Sequence, residues 1–219
     1  MRIPLVVATR NPKKFRELRA LLALDGFTLR SLESCPSAPL VRETGRTFGA
    51  NAIKKATSAA RATGCLALAD DSGLEVDALG GRPGVQSARF AGRHGDDGAN
   101  NRKLLRLLKQ IPDGKRTARF RCVLALAGAD RVLAVTEGVF EGRIAREPAG
   151  EHGFGYDPIF FVPGQGKMSA QLSPSTKNRL SHRGAAARRM RRALAALAKE
   201  TGSSRRGRAD GSIRTGSPA

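Results

Sequence analysis

Apolar positions change their spacing along the first half of the chain, and the changes alternate strands with helices. IPLVVA at 3–8 is a short, partly β-branched run ending at Thr9, the pattern of a buried strand. In NPKKFRELRALLALDG, Phe15, Leu18, Leu21 and Leu22 recur at helical spacing while Lys13, Arg16, Glu17 and Arg19 take the opposite face, so a helix runs toward an exit at Gly26. TFGANAIKKATSAARATG repeats the design with Ala52, Ile53, Ala56 and Ala60 on one side and a stop at Gly64. CLALAD at 65–70 is the next strand and delivers ADDSGL at its C-terminal end; LEVDAL is expected to continue the sheet before GGRPG turns the chain.

A third helix is expected over ANNRKLLRLLKQI, followed by a strand at 118–128, ARFRCVLALAG. VLAVTEGVFEGRIA has strand composition, with Gly138 marking a bulge or tight bend. PIFFVP at 158–163 is a further apolar stretch, and HRGAAARRMRRALAALAKE is an amphipathic C-terminal helix. No repeat and no interdomain linker interrupts this order. The class is α/β with a mixed sheet, divided into two lobes around a cleft.

Composition narrows the classes. A chain of 219 residues with 40% apolar content suits one globular domain, assigned to residues 1–200. No apolar stretch approaches the ~20 residues of a membrane helix, and the N-terminus lacks a secretory apolar region, so the expected location is the cytoplasm, away from any membrane. Three well-separated cysteines, Cys35, Cys65 and Cys122, argue against a disulfide framework or a zinc knuckle. The net charge of +20 would suit a polyanionic partner, but from Arg183 onward ten basic residues face only Glu200 and Asp210. Residues 201–219, TGSSRRGRADGSIRTGSPA, are expected to form a disordered basic tail. No helix-turn-helix, RNP or zinc-finger pattern accompanies the charge, so a specific nucleic-acid partner is not expected.

Chemistry gathers where strands end, the usual location of ligands in such sheets. TRNPKK places a hydroxyl, an amide and two cations at a helix start, which judged alone reads first as a plain N-cap with solvated lysines and second as a phosphate cradle. ADDSGL reads as a solvated turn or as a metal-phosphate site. Adjacent carboxylates on extended chain point to opposite sides, so Asp70 and Asp71 cannot share one task. A carboxylate tolerates nearby phosphate when a divalent cation stands between, so metal is implied if phosphate is. GFGYDPIFF offers Phe154 and Tyr156 as stacking faces and Asp157 as an acceptor, or else a glycine-rich turn entering the core. TKNRLSHRG adds Lys177, His182 and Arg183, and no HExxH, CxxC or GxSxG pattern occurs.

In this order, TRNPKKFREL, RETGRTFGANAIKKA, ADDSGLEVDALGGRPGVQSARFAG, REPAGEHGFGYDPIFFVP and LSHRG closely resemble the inosine triphosphate pyrophosphatase family over about residues 3–198. The resemblance implies an elongated mixed sheet flanked by helices with a cleft between two lobes, a homodimer and a Mg2+ requirement. It implies hydrolysis of deaminated purine nucleoside triphosphates (ITP, dITP, XTP) to the monophosphate and pyrophosphate. By motif, Thr9, Arg10, Asn11, Pro12, Lys13 and Lys14 resemble the triphosphate-binding loop, with Lys55 a further phosphate contact. Glu43 and Asp71 resemble metal ligands, Asp71 also the proton acceptor, and Ser72 a substrate contact. Phe154, Gly155, Tyr156 and Asp157 match the segment holding the nucleoside, and Lys177, His182 and Arg183 the residues around the base. Ala50 departs from the acidic residue the family commonly carries before the asparagine of its second helix. A pyrophosphatase of different base preference and a basic nucleic-acid-binding protein are the alternatives.

Overall fold

The computed structural model describes residues 2–209 apart from 24, 36, 37 and 40, with side chains as far as Lys199. Among the described residues seven strands form one sheet: β1 (Ile3–Val7), β2 (Phe27–Ser31), β3 (Leu66–Val76), β4 (Thr117–Ala127), β5 (Val132–Ile144), β6 (Phe160–Val162) and β7 (Lys167–Met168). Their spatial order is β2-β1-β3-β4-β5-β6-β7. β1 runs parallel to β2 and to β3, and every later pairing is antiparallel. The helices are α1 (Pro12–Leu21), α2 (Phe48–Thr63), α3 (Asp97–Leu107), α4 (Pro174–Leu180) and α5 (His182–Ala209). The mixed α/β class expected from the spacing is borne out.

Side-chain alternation explains the layers. Leu5 and Val7 of β1, Leu68 of β3 and Cys122, Leu124 and Leu126 of β4 pack with Leu18 of α1, Leu22 at its C-cap, and Ala186, Ala187, Met190 and Leu194 of α5. The intervening residues, Val6, Ala67, Ala69, Val123 and Ala125, face the alanines of α2. Alanine on both sides of that second contact lets helix and sheet backbones approach closely. A third cluster at the far end joins Leu74 and Val76 of β3 to Phe120, Phe140, Tyr156, Ile159 and Phe160.

Three expectations change. ADDSGL is neither a turn nor a strand terminus, because β3 runs unbroken from Leu66 to Val76 with each residue from Ala67 onward paired to β4. The antiparallel partner holds extended a stretch whose composition suits a turn. Gly138 marks no bulge, since it pairs in register with Cys122; a Cβ there would stand 2.0 Å from the His182 carbonyl oxygen, so the glycine makes room for the start of α5. β2 and α4 are elements the spacing did not suggest. α5 is helical to Ala209, and the remainder of the expected tail, 210–219, lies outside the described residues.

Gly138→Ala should therefore lower stability by about 2 kcal/mol through overpacking and displace the first turn of α5. Denaturant unfolding checks this; an unchanged midpoint would contradict the close approach.

Candidate functional site

The site exists because β3 outruns β1. β1 pairs with β3 only as far as Val7 beside Leu68, so the segment from Asp70 onward lies beyond the carboxyl end of β1. Alternation then sends Asp70 toward the α1 and α5 side with Leu68, and Asp71 toward the α2 side with Ala69. The expected divergence of the two acids is what the structure contains, and both are buried.

On the first side, the turn after β1 aims a lysine. Asn11 Oδ1 accepts the N–H groups of Lys13 (2.9 Å) and Lys14 (3.2 Å), Thr9 Oγ1 accepts that of Asn11, and Pro12 occupies the first helical position. TRNPKK is thus a helix cap in structure, with Arg10 donating to the Ala38 carbonyl at 3.3 Å. Lys14 emerges from the cap to pair with Asp70 Oδ1, which also accepts from Ser72 Oγ. Asp70 Oδ2 accepts from Arg183 Nε at 3.1 Å and from the Cys122 thiol at 3.1 Å. Arg183 further donates to Glu17 Oε2 at 2.5 Å and Ser72 Oγ at 3.0 Å. Burial opposes a charge on Asp70, but Arg183 and Lys14 outweigh it and hold the carboxyl well below its ordinary range.

The second side is built on α2. Lys55 Nζ lies 3.1 Å from Asp71 Oδ1 and 2.6 Å from Glu43 Oε1. Asn51 Nδ2 donates to Asp71 Oδ2 at 3.1 Å, while Arg89 donates to the Glu43 carbonyl oxygen at 3.3 Å. Here burial prevails: it pushes the Asp71 carboxyl up, Lys55 opposes it, and the neighbouring Glu43 charge pushes the same way. Burial also works against the Glu43 charge, yet Lys55 brings that carboxyl below its usual value. Two carboxylates of like charge thus share a single ammonium.

Hard oxygen donors in that arrangement fit a divalent cation such as magnesium. Among the described residues no three metal-ligating side chains are grouped ready for an ion. A cation held by Glu43 and Asp71 would therefore need the rest of its shell from water or ligand oxygens, as magnesium commonly does. Ala50, at the departure from the family pattern, is exposed on the first turn of α2 and adds no oxygen.

A loop between β5 and β6 brings Phe154 to the first side. Its ring has Lys177 Nζ at 5.3 Å, Arg183 Cζ at 5.7 Å and Lys13 Nζ at 6.0 Å from the centroid. Asp157 is buried beneath it: one oxygen accepts from the Phe154 N–H (2.8 Å) and Lys177 (2.7 Å), the other from Ser169 (2.7 Å). Its acceptor capacity is thus directed to shaping the loop. Tyr156 does not present the expected stacking face, because its ring lies in the core and its hydroxyl donates to the Ser87 carbonyl at 2.9 Å. His182 is likewise buried, stacked on Phe120 with centroids 4.9 Å apart.

Several contributors escaped the sequence reading. Glu17, read only as part of the face opposite the apolar positions of its helix, lies three residues beyond Lys14, the spacing that puts both on one helical flank. Asn51 sits four residues before Lys55 in an otherwise alanine-rich turn, the spacing that puts its amide on the same helical flank. Arg89 and Cys122 have no local pattern pointing to a site; only the tertiary fold brings them in.

Fold and site together define an α/β protein that presents paired carboxylates and lysines, beside an aromatic ring, at the end of a parallel strand: a nucleotide-handling arrangement. The chain belongs to the Ham1 family, whose model matches residues 5–193. It is 52% identical over 179 residues to a dITP/XTP pyrophosphatase of Geobacillus kaustophilus, covering 82% of this chain and 88% of that protein. With a dITP/XTP pyrophosphatase of Mycolicibacterium paratuberculosis it shares 50% identity over 204 residues, 91% and 99% of the two chains. A solved HAM1 protein from Coxiella burnetii superposes with a TM-score of 0.80 at 43% identity, covering 88% of this chain and 98% of that one. The resemblance drawn from the motifs is borne out.

Burial, reinforced by Arg183, holds His182 well below its ordinary value. Below about pH 6.5 the unfolded chain thus gains a proton that the folded chain refuses. Stability should fall between pH 6.5 and 5 with a slope contribution of up to about 1.4 kcal/mol per pH unit, and His182→Gln should remove that contribution. Denaturant midpoints at pH 7, 6 and 5 test this; equal slopes in the two proteins would contradict a neutral buried imidazole.

Proposed function

We propose that this protein hydrolyses deaminated purine nucleoside triphosphates, the class containing ITP, dITP and XTP, to the monophosphate and pyrophosphate. The observation that carries the reading is the Asp71 carboxylate: buried and raised, held by Lys55 and Asn51, and facing Glu43 at the open end of β1. A carboxylate so placed suits proton transfer, because burial and the neighbouring Glu43 charge raise its affinity for a proton against the opposing pull of Lys55. Family membership and the names of the relatives support the substrate class.

In this mechanism the triphosphate lies across the end of β1. Lys14 and Lys55 stabilise charge developing on the departing pyrophosphate, while the α1 N-terminus, with its Thr9–Asn11 cap and Lys13, favours a phosphate nearby. Asp71 takes the proton of the water attacking the α-phosphorus. Glu43 and Asp71 are the residues that would hold magnesium; the bound ion would offset phosphate charge. No covalent intermediate is invoked. Ser72 contacts substrate beside Asp70, and Phe154 stacks on the base with Gly155 behind it, while Lys177, His182 and Arg183 enclose that side.

Selectivity rests on the oxygen at purine position 6, which accepts a hydrogen bond where the adenine amino group donates one. Among the described residues Arg183 uses three of its five N–H groups, on Asp70, Glu17 and Ser72, and the other two suit such an acceptor. A pocket whose donors go unpaired with the wrong base rejects it strongly. We place this activity in the cytoplasm and in a homodimer; for the latter, Val135 and Val139, exposed together on β5, offer apolar surface.

Incubation with magnesium and ITP, XTP, dITP, ATP or GTP, with pyrophosphate and monophosphate measured, tests the reading. Turnover of the deaminated nucleotides should exceed that of ATP by at least about 100-fold, and chelation of magnesium should abolish it. Equal rates on all five, or orthophosphate as first product, would contradict it.

A further inference from the structure

Phe154 owes its position to a helix outside the phosphate and metal groups. The backbone of the next residue, Gly155, is held on both sides of its Cα by α3: its N–H donates to Asp97 Oδ2 at 2.7 Å, and its carbonyl oxygen accepts from Asn101 Nδ2 at 3.1 Å. Asp97 and Asn101 are four residues apart and so lie on one helical flank. Helix capping does not account for Asp97, because Asp96 already caps α3 by accepting the Ala99 N–H at 2.9 Å. Asn101 Oδ1 is buried without a hydrogen-bond partner among the described residues, so the amide is held by its bond to Gly155 at the expense of its own acceptor.

The neighbouring asparagine extends the brace. Asn100 Oδ1 accepts the Ala91 N–H at 2.7 Å, and its Nδ2 donates to the Ala88 carbonyl at 3.4 Å. That segment includes Arg89, which holds Glu43. Tyr156 closes the circuit through its hydrogen bond to Ser87. α3 therefore ties the aromatic loop to the segment that reaches the Asp71 side without itself contacting either acid in the hydrogen bonds and ion pairs described.

We infer that Asp97 and Asn101 are positioning residues for nucleoside recognition: they fix the Gly155 peptide and thereby the pose of the Phe154 ring against the base. This deepens the proposed function and rests on Phe154 being the stacking face. Loss of either contact frees the loop, so the pocket must be ordered anew at each binding event. The phosphate-binding lysines, which neither residue touches, remain as they were.

Steady-state kinetics of the full chain with ITP, for wild type, Asn101→Ala, Asp97→Ala and Asp97→Asn, test the assignment alongside inhibition by inorganic tripolyphosphate, which has no base. The alanine variants should raise KM for ITP about five- to tenfold, the worth of one hydrogen bond, with kcat less affected and tripolyphosphate inhibition unchanged. Asp97→Asn, which keeps an acceptor for the Gly155 N–H, should restore most of the loss. An unchanged KM, or equal weakening of ITP and tripolyphosphate, would overturn the assignment. Wild type inactive on ITP would instead overturn the proposed function.

Discussion

Everything at this site follows from two adjacent carboxylates held on extended backbone in a strand that continues past its parallel neighbour. Extended geometry forbids Asp70 and Asp71 from facing the same way, so each acid meets its own cations on its own side of the sheet. Asp70 is enclosed by Lys14, Arg183, Ser72 and Cys122, and its charge is favoured. Asp71 shares Lys55 with Glu43, and its charge is disfavoured. The first acid ties α1 and α5 together beside Phe154; the second keeps a charge that its burial opposes.

The costs differ accordingly. A buried charge persists only when its partners replace water, and removing one partner from such a group is strongly destabilising. Asp70, Arg183 and Glu17 form a linked set of that kind, joining β3 to the first turn of α5 and to α1. It holds Arg183 and Lys177 close to Phe154, which a mobile surface pair would not do. Gly73 protects the geometry on the other edge: a Cβ there would stand 2.4 Å from Ser87 Oγ and 2.5 Å from the Gly84 carbonyl oxygen, so the strand stays close to the segment bearing Arg89.

Much of this was legible in the residues. Helical spacing in 11–26 and 47–64, the apolar run at 3–8 and the divergence of Asp70 from Asp71 follow from period alone, and the structure agrees, with α1 ending short of Gly26. The continuity of β3 was not legible, because Asp, Ser and Gly have turn propensity and only their pairing with β4, across the sheet, overrides it. Tyr156 and Asp157 misled for a related reason: a polar tip on an aromatic body, or a carboxylate beside glycines, reads as binding chemistry until the fold shows its hydrogen bonds turned inward. Arg89, Asp97 and Asn101 were invisible because their roles are held entirely in tertiary contacts.

The separation of roles between the two acids is most directly tested by comparing Asp70→Asn with Asp71→Asn in thermal stability and in turnover of ITP. Stability is measured without added metal, at neutral pH. Asp71→Asn should abolish turnover while leaving the melting temperature unchanged or raised, since it removes a charge the fold disfavours. Asp70→Asn should lower the melting temperature markedly, since it strands Lys14 and Arg183 without their carboxylate. Full activity in Asp71→Asn, or a larger loss of stability there than in Asp70→Asn, would contradict the account.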